Sequence, residues 1–211
     1  MLDVARVRRG ATAALTSAVA GALGLAAIAL FFSVGGPFGT INDALGLVMV
    51  AALAPVMLAH YELGGVVPLW PARLSLAGAV LAVAAFAALQ VLFVLKILNV
   101  NVDAPAAGGW ELLAIAQGVI GLWIAGASLL AGRWLPPLVR ALGIVAGVGV
   151  VVMAVGILRA GYQDMLTNVG GVGYQILLPV WAWRLSTVFR AAADSATPAA
   201  SAPDVRGPAA A

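Results

Sequence analysis

Six long apolar stretches dominate this sequence and limit what the chain can fold into. They cover residues 11–34, 41–63, 74–98, 110–131, 136–158 and 166–189. Each is long enough to cross the hydrocarbon core of a bilayer as a helix, which takes about 20 predominantly apolar residues. Lipid offers backbone amides no hydrogen-bond partner, so spanning segments must be helices or strands of a closed barrel. Barrel strands alternate over about 10 residues, whereas these stretches are apolar on every face. The sequence therefore predicts an all-α integral membrane bundle of six transmembrane helices.

The composition excludes several classes of protein. Hydrophobic residues make up 64% of the chain and charged residues only 9%, against roughly 45–50% and about 25% in soluble domains. A soluble globule and a disordered chain are both excluded, because each needs more charge. The chain has no cysteine and one histidine, which excludes thiolate metal sites and two-histidine haem ligation. It also lacks phosphate-loop and nucleophile-elbow motifs. We expect no catalytic residues, no metal and no resident cofactor.

Short connections rich in glycine and proline separate the six stretches. Connections of this length make consecutive helices antiparallel neighbours, so the expected topology is an up–down bundle. This transmembrane domain covers residues 1–190. Residues 191–211 are rich in alanine and contain Pro198, Pro203 and Pro208, a composition typical of a flexible tail.

The basic residues are distributed unequally between the two predicted faces. With the N-terminus inside, only Lys96 and Arg159 lie outside, and nine arginines lie inside. The inside set is Arg6, Arg8, Arg9, Arg73, Arg133, Arg140, Arg184, Arg190 and Arg206. By the positive-inside rule this predicts a multi-pass protein of the plasma (inner) membrane with both termini in the cytoplasm. The basic face favours anionic lipid as a partner rather than nucleic acid.

Small residues four apart provide places where membrane helices can approach closely. The pairs are Ser17 with Gly21, Gly78 with Ala82, and Gly143 with Gly147. They predict packing within one chain, and a homodimer face is the alternative. Most tryptophans, including Trp110 and Trp181, are expected in the two interfacial belts. His60 is expected at the inner interface, facing headgroups or a nearby arginine.

Three acids begin the helices that start at the outer face. Asp43, Glu111 and Asp164 are placed favourably for the helix macrodipole there, which is sufficient to explain them. The alternative is that they converge into an outward-facing acidic vestibule for a cation or amine.

Polar residues at membrane depth are the default candidates for function. Gln90, Gln117 and Thr167 lie within apolar stretches, and the sixth stretch also combines several glycines with Pro179. We predict a polar cavity between the second, fourth and sixth helices, although such side chains also serve only to hold helices together. The candidate cavity residues are Asn42, Asp43, Glu111, Gln117, Asp164, Asn168, Tyr174 and Gln175.

Two short motifs carry a family resemblance. The run Gly-Gly-Pro-Phe-Gly-Thr-Ile-Asn-Asp at 35–43 and Leu-Pro-Val-Trp at 178–181 resemble small bacterial six-span membrane proteins of unknown function. The resemblance implies the six-helix architecture and no particular activity. Arginine outnumbers lysine ten to one, which is typical of a GC-rich bacterial genome.

Three functions stay open at this point. The first is a non-catalytic accessory protein that binds a membrane protein partner. The second is a small-molecule or cation transporter that uses the polar cavity. The third is an intramembrane enzyme that acts on a lipid.

Overall fold

The computed structural model describes residues 2–64, 70–98, 104–106 and 110–197. Within these residues the secondary structure is helical, without strands. The α-helices are α1 (Val4–Val34), α2 (Phe38–Ala51), α3 (Leu53–Leu63), α4 (Trp70–Val94), α5 (Trp110–Leu130), α6 (Pro137–Ala160), α7 (Met165–Val172) and α8 (Leu178–Ser195). A 3₁₀ turn at Gly161–Gln163 follows α6, and a π-helical segment at Gly173–Leu177 joins α7 to α8.

Five helices of the described chain are long and apolar enough to cross a membrane. They are α1, α2 and α3 taken together, α4, α5, and α6 with the 3₁₀ turn that follows it. These helices support the predicted all-α membrane fold. The sixth predicted stretch is helical but is not among these five helices; it is divided into α7, the π-helical segment and α8.

Glycine and proline explain the interruption of the sixth predicted helix. Pro179 has no backbone N–H and cannot bond the carbonyl four residues earlier. Just before it, the Leu178 N–H donates to the carbonyl of Gly173, five residues earlier, which is the hydrogen-bond pattern of a π-helix. A Cβ added at Gly173 would lie 2.6 Å from the Cα of Gly149. Glycine is therefore required where this segment crosses α6.

The helix ends differ from the sequence expectation at both ends of the chain. The first helix begins at Val4, seven residues before the predicted start, because Asp3 accepts a hydrogen bond from the N–H of Arg6 and caps it. The last helix continues to Ser195, so residues 191–195 are helical and not the start of a flexible tail. The predicted tail from residue 198 onward lies outside the described residues.

The helices pack in chain order, and α1 also packs against α8. At one end of the bundle Arg6 forms an ion pair with Glu62 at 2.8 Å, and Arg8 lies 3.7 Å from Asp194. We call this the terminal end, because both ends of the described chain meet there. We call the opposite end, where α2 and α5 begin near Asp43 and Trp110, the far end.

Small side chains let α1 approach its neighbours closely. A Cβ at Gly10 would lie 3.4 Å from Phe189 of α8, and one at Gly21 would lie 2.9 Å from Met49 of α2. Ser17, between these glycines, is fully buried. Between membrane helices such contacts must supply much of the association, since lipid is as apolar as the side chains themselves.

The closest helix contact involving Gly147 joins α5 to α6. A Cβ at Gly147 would lie 2.6 Å from the carbonyl oxygen of Gly121, and a Cβ at Gly121 would lie 2.7 Å from that of Gly147. The Ser17–Gly21 and Gly143–Gly147 pairs therefore pack within the chain, as predicted. Gly78 is different, because a Cβ there would meet nothing within 4 Å.

Candidate functional site

A cavity of about 370 Å³ lies between the helices toward the far end. We call it the Asp43 cavity. Helices α1, α2, α4, α5 and α6, the Tyr162 turn and the π-helical segment all contribute to its wall. Its polar lining consists of Asn42, Asp43, Gln90, Gln117, Tyr162, Tyr174 and Gln175. The rest is mainly aromatic and aliphatic, a combination typical of small-molecule sites.

Five of the eight candidate residues from the sequence line this cavity together. They are Asn42, Asp43, Gln117, Tyr174 and Gln175. The second, fourth and sixth predicted helices carry them, as the sequence suggested. That these residues bind a ligand stays a prediction.

Asp43 is the acidic residue in this lining. Its side chain is half-buried and hydrogen-bonds to the Asn42 side chain. The ion pairs found in the described chain involve other acids, and no basic residue lines the cavity. Asp43 thus presents a carboxylate to the cavity without a basic counter-ion in the described part of the chain.

Two glutamine side chains in the cavity wall are more deeply buried than Asp43. The Gln90 Nε2 donates to the backbone carbonyl of Asp43 at 3.4 Å, which ties α4 to α2. The Gln117 Nε2 has the thioether sulfur of Met153 as acceptor, at 3.6 Å. Sulfur is a weak acceptor, so a ligand carbonyl or hydroxyl would be a better partner for the Gln117 amide.

Aromatic rings line the cavity toward the far end. Trp110 stacks on Phe93 with ring centroids 5.8 Å apart, and the Tyr162 ring lies 5.5 Å from that of Trp110. Trp110 is 2% exposed and Trp181 is fully buried. The interfacial-belt interpretation is therefore wrong for these two tryptophans, whereas Trp70 and Trp183 are well exposed.

Asp164 does not line the cavity, because a different partner holds it. Its Oδ2 accepts hydrogen bonds from the Arg159 Nε at 2.8 Å and from the Nη2 at 2.6 Å. Its Oδ1 caps α7 by accepting from the N–H of Leu166 at 2.7 Å. The Arg159 guanidinium holds the pKa of this carboxyl below its ordinary value of 3.8.

Glu111 and Asn168 also lie outside the cavity lining. Glu111 is in the first turn of α5, where a carboxylate is favoured by the helix dipole. Asn168 is exposed on α7. The three far-end acids therefore do not share this cavity, and only Asp43 remains from the acidic vestibule considered for the sequence.

Two polar residues of the lining were not among the sequence candidates. Gln90 stood out as an amide within an apolar stretch, but the third helix was not assigned to the cavity. Tyr162 lies in the connection between the fifth and sixth predicted stretches, outside the apolar runs searched for candidates. The order in which the helices pack around the cavity brings both residues into its lining. The spacing of residues along one helix does not reveal that order.

His60 does not face a nearby arginine, contrary to the sequence expectation, because it is buried among aromatic rings. It is 5% exposed, and its ring lies between those of Trp134 and Trp123, with centroids 4.6 Å and 5.5 Å away. Across the described residues no group of three or more histidine, cysteine, aspartate or glutamate side chains is placed to hold a metal ion.

Comparisons with protein-family models, with curated proteins and with solved structures found no match to this chain. The resemblance to small bacterial six-span membrane proteins of unknown function stays a prediction.

Proposed function

We propose that this protein binds a small organic cation in the Asp43 cavity and transports it across a membrane. The observation that supports the proposal most directly is the Asp43 carboxylate, half-buried near the start of a candidate membrane span and without a basic partner in the described chain. An ionisable group in such a position is costly and is a functional candidate by default. A positively charged ligand would supply the missing counter-ion.

The chemistry of the lining favours an amine or quaternary ammonium group. Phe31, Phe93 and Trp110 line the same cavity as Asp43, and aromatic faces attract cations. The amides of Gln117 and Gln175 can bind polar substituents of the same ligand. A volume of about 370 Å³ accommodates a small molecule and not a peptide.

The proposed architecture is an up–down bundle of six transmembrane segments, with the divided α7–α8 region as the sixth. The terminal end is proposed to face the cytoplasm of a bacterial cell, because most arginines lie on that side. The far end, with the Asp43 cavity, then faces outward. Reporter fusions to each connection would test this orientation.

The other two functions also remain proposals. An accessory role would require a membrane protein partner or a second copy of the chain, and defined co-purification would test it. An enzyme acting on lipid would require reacting groups that the Asp43 cavity does not group together.

Binding to purified protein in detergent is the direct test. Tetraethylammonium and butylamine serve as probes, and isothermal titration calorimetry measures their affinity. We expect saturable binding by the wild-type protein and at least a tenfold loss in Asp43→Asn, which keeps the side-chain size and removes the charge. Equal affinity in the two proteins, or no saturable binding by the wild type, would contradict the proposal.

Asp164→Asn is the matched control for that experiment. It removes a carboxylate at the same end of the bundle, but one that Arg159 already neutralises. The Asp164→Asn protein should bind the probes as the wild type does. Uptake of labelled tetraethylammonium into proteoliposomes then separates transport from binding alone.

A further inference from the structure

A second cavity, of about 600 Å³, lies near the terminal end between α3, α4 and α5. We call it the His60 cavity. Its lining is predominantly apolar, with His60, Tyr61 and Ser75 as the polar members. Leu122 and Leu130, which also line it, are 63% and 82% exposed. The exposed leucines place the cavity at the outer surface of the bundle, where a membrane protein contacts lipid.

Two glycines form open parts of the wall. A Cβ added at Gly78 of α4 or at Gly126 of α5 would meet nothing within 4 Å. Elsewhere in this bundle glycines mark tight crossings, such as Gly147 against Gly121. At Gly78 and Gly126 the missing side chains instead leave space in the cavity.

Two ring nitrogens beside this space have no hydrogen-bond partner within the described chain. They are the Nε2 of His60 and the Nε1 of Trp134, and both are buried. Buried polar atoms are nearly always satisfied in folded proteins, by protein or by another molecule. The glycerol and ester groups of a lipid carry the hydroxyl and carbonyl groups that such nitrogens pair with.

The charge around the cavity indicates which headgroup fits. Arg73 directly follows the lining residue Ala72 in sequence, and Arg133 directly precedes the lining residue Trp134. Both arginines are exposed. The ion pairs found in the described chain do not include either arginine. Among the described residues, none that lines the cavity is acidic. Basic side chains at a membrane surface attract anionic headgroups.

We propose that the His60 cavity is a binding site for one acyl chain of an anionic phospholipid, whose headgroup lies against Arg73 and Arg133. This proposal rests on the placement of the chain in a membrane. It does not depend on cation binding in the Asp43 cavity, which lies toward the other end of the bundle.

Lipid retention by the full-length protein tests the proposal. The protein is purified in a mild detergent and equilibrated with phosphatidylglycerol or phosphatidylcholine at matched concentrations, and bound lipid is counted by native mass spectrometry. We expect the wild type to retain about one phosphatidylglycerol in preference to phosphatidylcholine. Gly126→Leu, whose Cβ would meet nothing within 4 Å and whose remaining atoms extend into the cavity, should lower retention at least tenfold.

Gly171→Leu is the matched control, because a Cβ at Gly171 also meets nothing within 4 Å and Gly171 lines neither cavity. It should retain lipid as the wild type does, as should Asp43→Asn. Removing each arginine as Arg73→Gln or Arg133→Gln should lower the preference for phosphatidylglycerol about fivefold. Equal retention by Gly126→Leu and Gly171→Leu, or no preference between the two lipids, would overturn the proposal.

Discussion

Arg159 and Asp164 form an ion pair in which the guanidinium donates through both Nε and Nη2 to the same carboxylate oxygen, Oδ2, at 2.8 and 2.6 Å. The 3₁₀ turn between α6 and α7 brings the two residues together. The contact fixes the start of α7, since the other oxygen of Asp164 caps that helix. An acid that the sequence left among the ligand candidates therefore has a structural role.

The Arg159–Asp164 pair predicts a pH dependence of stability. The pKa of Asp164 is lowered in the folded protein by the Arg159 hydrogen bonds. The pair therefore contributes its full stabilisation above the unfolded-state pKa of about 3.9 and loses it as the pH falls through the lower folded-state value. Asp164→Asn should lower the melting temperature in detergent at pH 7, and the difference from wild type should narrow toward pH 3.

Asparagine caps helices about as well as aspartate, so this variant tests the charge and not the cap. Because the Arg159 side chain is 62% exposed, solvent screening keeps the effect modest. Asp194→Asn is the control, because its contact with Arg8 is long and exposed. If the difference in melting temperature between wild type and Asp164→Asn stays the same from pH 7 to pH 3, the stabilisation does not come from the charge of the Arg159–Asp164 pair.

Gly147→Ala should destabilise the bundle. The new methyl group would lie 2.5 Å from the backbone nitrogen of Ala125 and 2.6 Å from the carbonyl oxygen of Gly121, so α5 and α6 must separate. Overpacking of this kind costs about 1–3 kcal/mol. Thermal unfolding in detergent measures it. Gly118→Ala at the same helix pair is the control, with a 3.4 Å contact to Ala154, and should change the melting temperature little. Equal melting temperatures for the two variants would contradict the packing described.

Gly46→Leu should block the Asp43 cavity while leaving the fold intact. A Cβ at Gly46 would meet only the Tyr174 hydroxyl within 4 Å, at an ordinary 3.5 Å, so a larger side chain extends into the cavity space. We expect at least a tenfold loss of tetraethylammonium affinity by calorimetry. Gly46→Ala should bind the probe within a few-fold of the wild type. Unaltered affinity in Gly46→Leu would mean that the probe binds elsewhere.

Glu62→Gln should have a small effect despite the short contact with Arg6. Glu62 accepts from the Arg6 Nη1 at 2.8 Å and from the Asp3 N–H at 3.1 Å, but the Arg6 side chain is 48% exposed. Exposed ion pairs contribute at most about 1 kcal/mol. The melting temperature at low salt should fall by a few degrees or less. A decrease in melting temperature as large as that of Gly147→Ala would show that the Arg6–Glu62 ion pair contributes more to stability than the exposure of Arg6 indicates.

The sequence was a good guide to the helices and to much of the Asp43 cavity. Long apolar runs leave little choice but helix, and polar residues within them face the protein interior because lipid cannot solvate them. Asn42, Asp43 and Gln117 were therefore identifiable in advance. Which helices surround a cavity depends on the packing order, so the contribution of Gln90 was not predictable from its own helix.

Other features depended on contacts that no local pattern encodes. The sequence placed His60 and Trp110 at the interfaces by their distance from the ends of apolar runs. Both are buried because bulky rings from neighbouring helices pack around them, Trp123 and Trp134 in one case and Phe93 in the other. The sequence showed glycines and Pro179 in the sixth stretch but did not predict the π-helical segment, which packs closely against Gly149 through Gly173.

The packing of α1 against α8 bears on how the protein is made. Gly10 and Phe189, which meet in the finished bundle, are separated by nearly the whole chain, so translation delivers the first partner long before the second. During membrane insertion the part of α1 that meets α8 lacks this partner until the last helix has been made. We expect a chain that ends before Leu178 to leave that part of α1 uncovered, since Gly10 and Gly21 then keep only their contacts with α3 and α2.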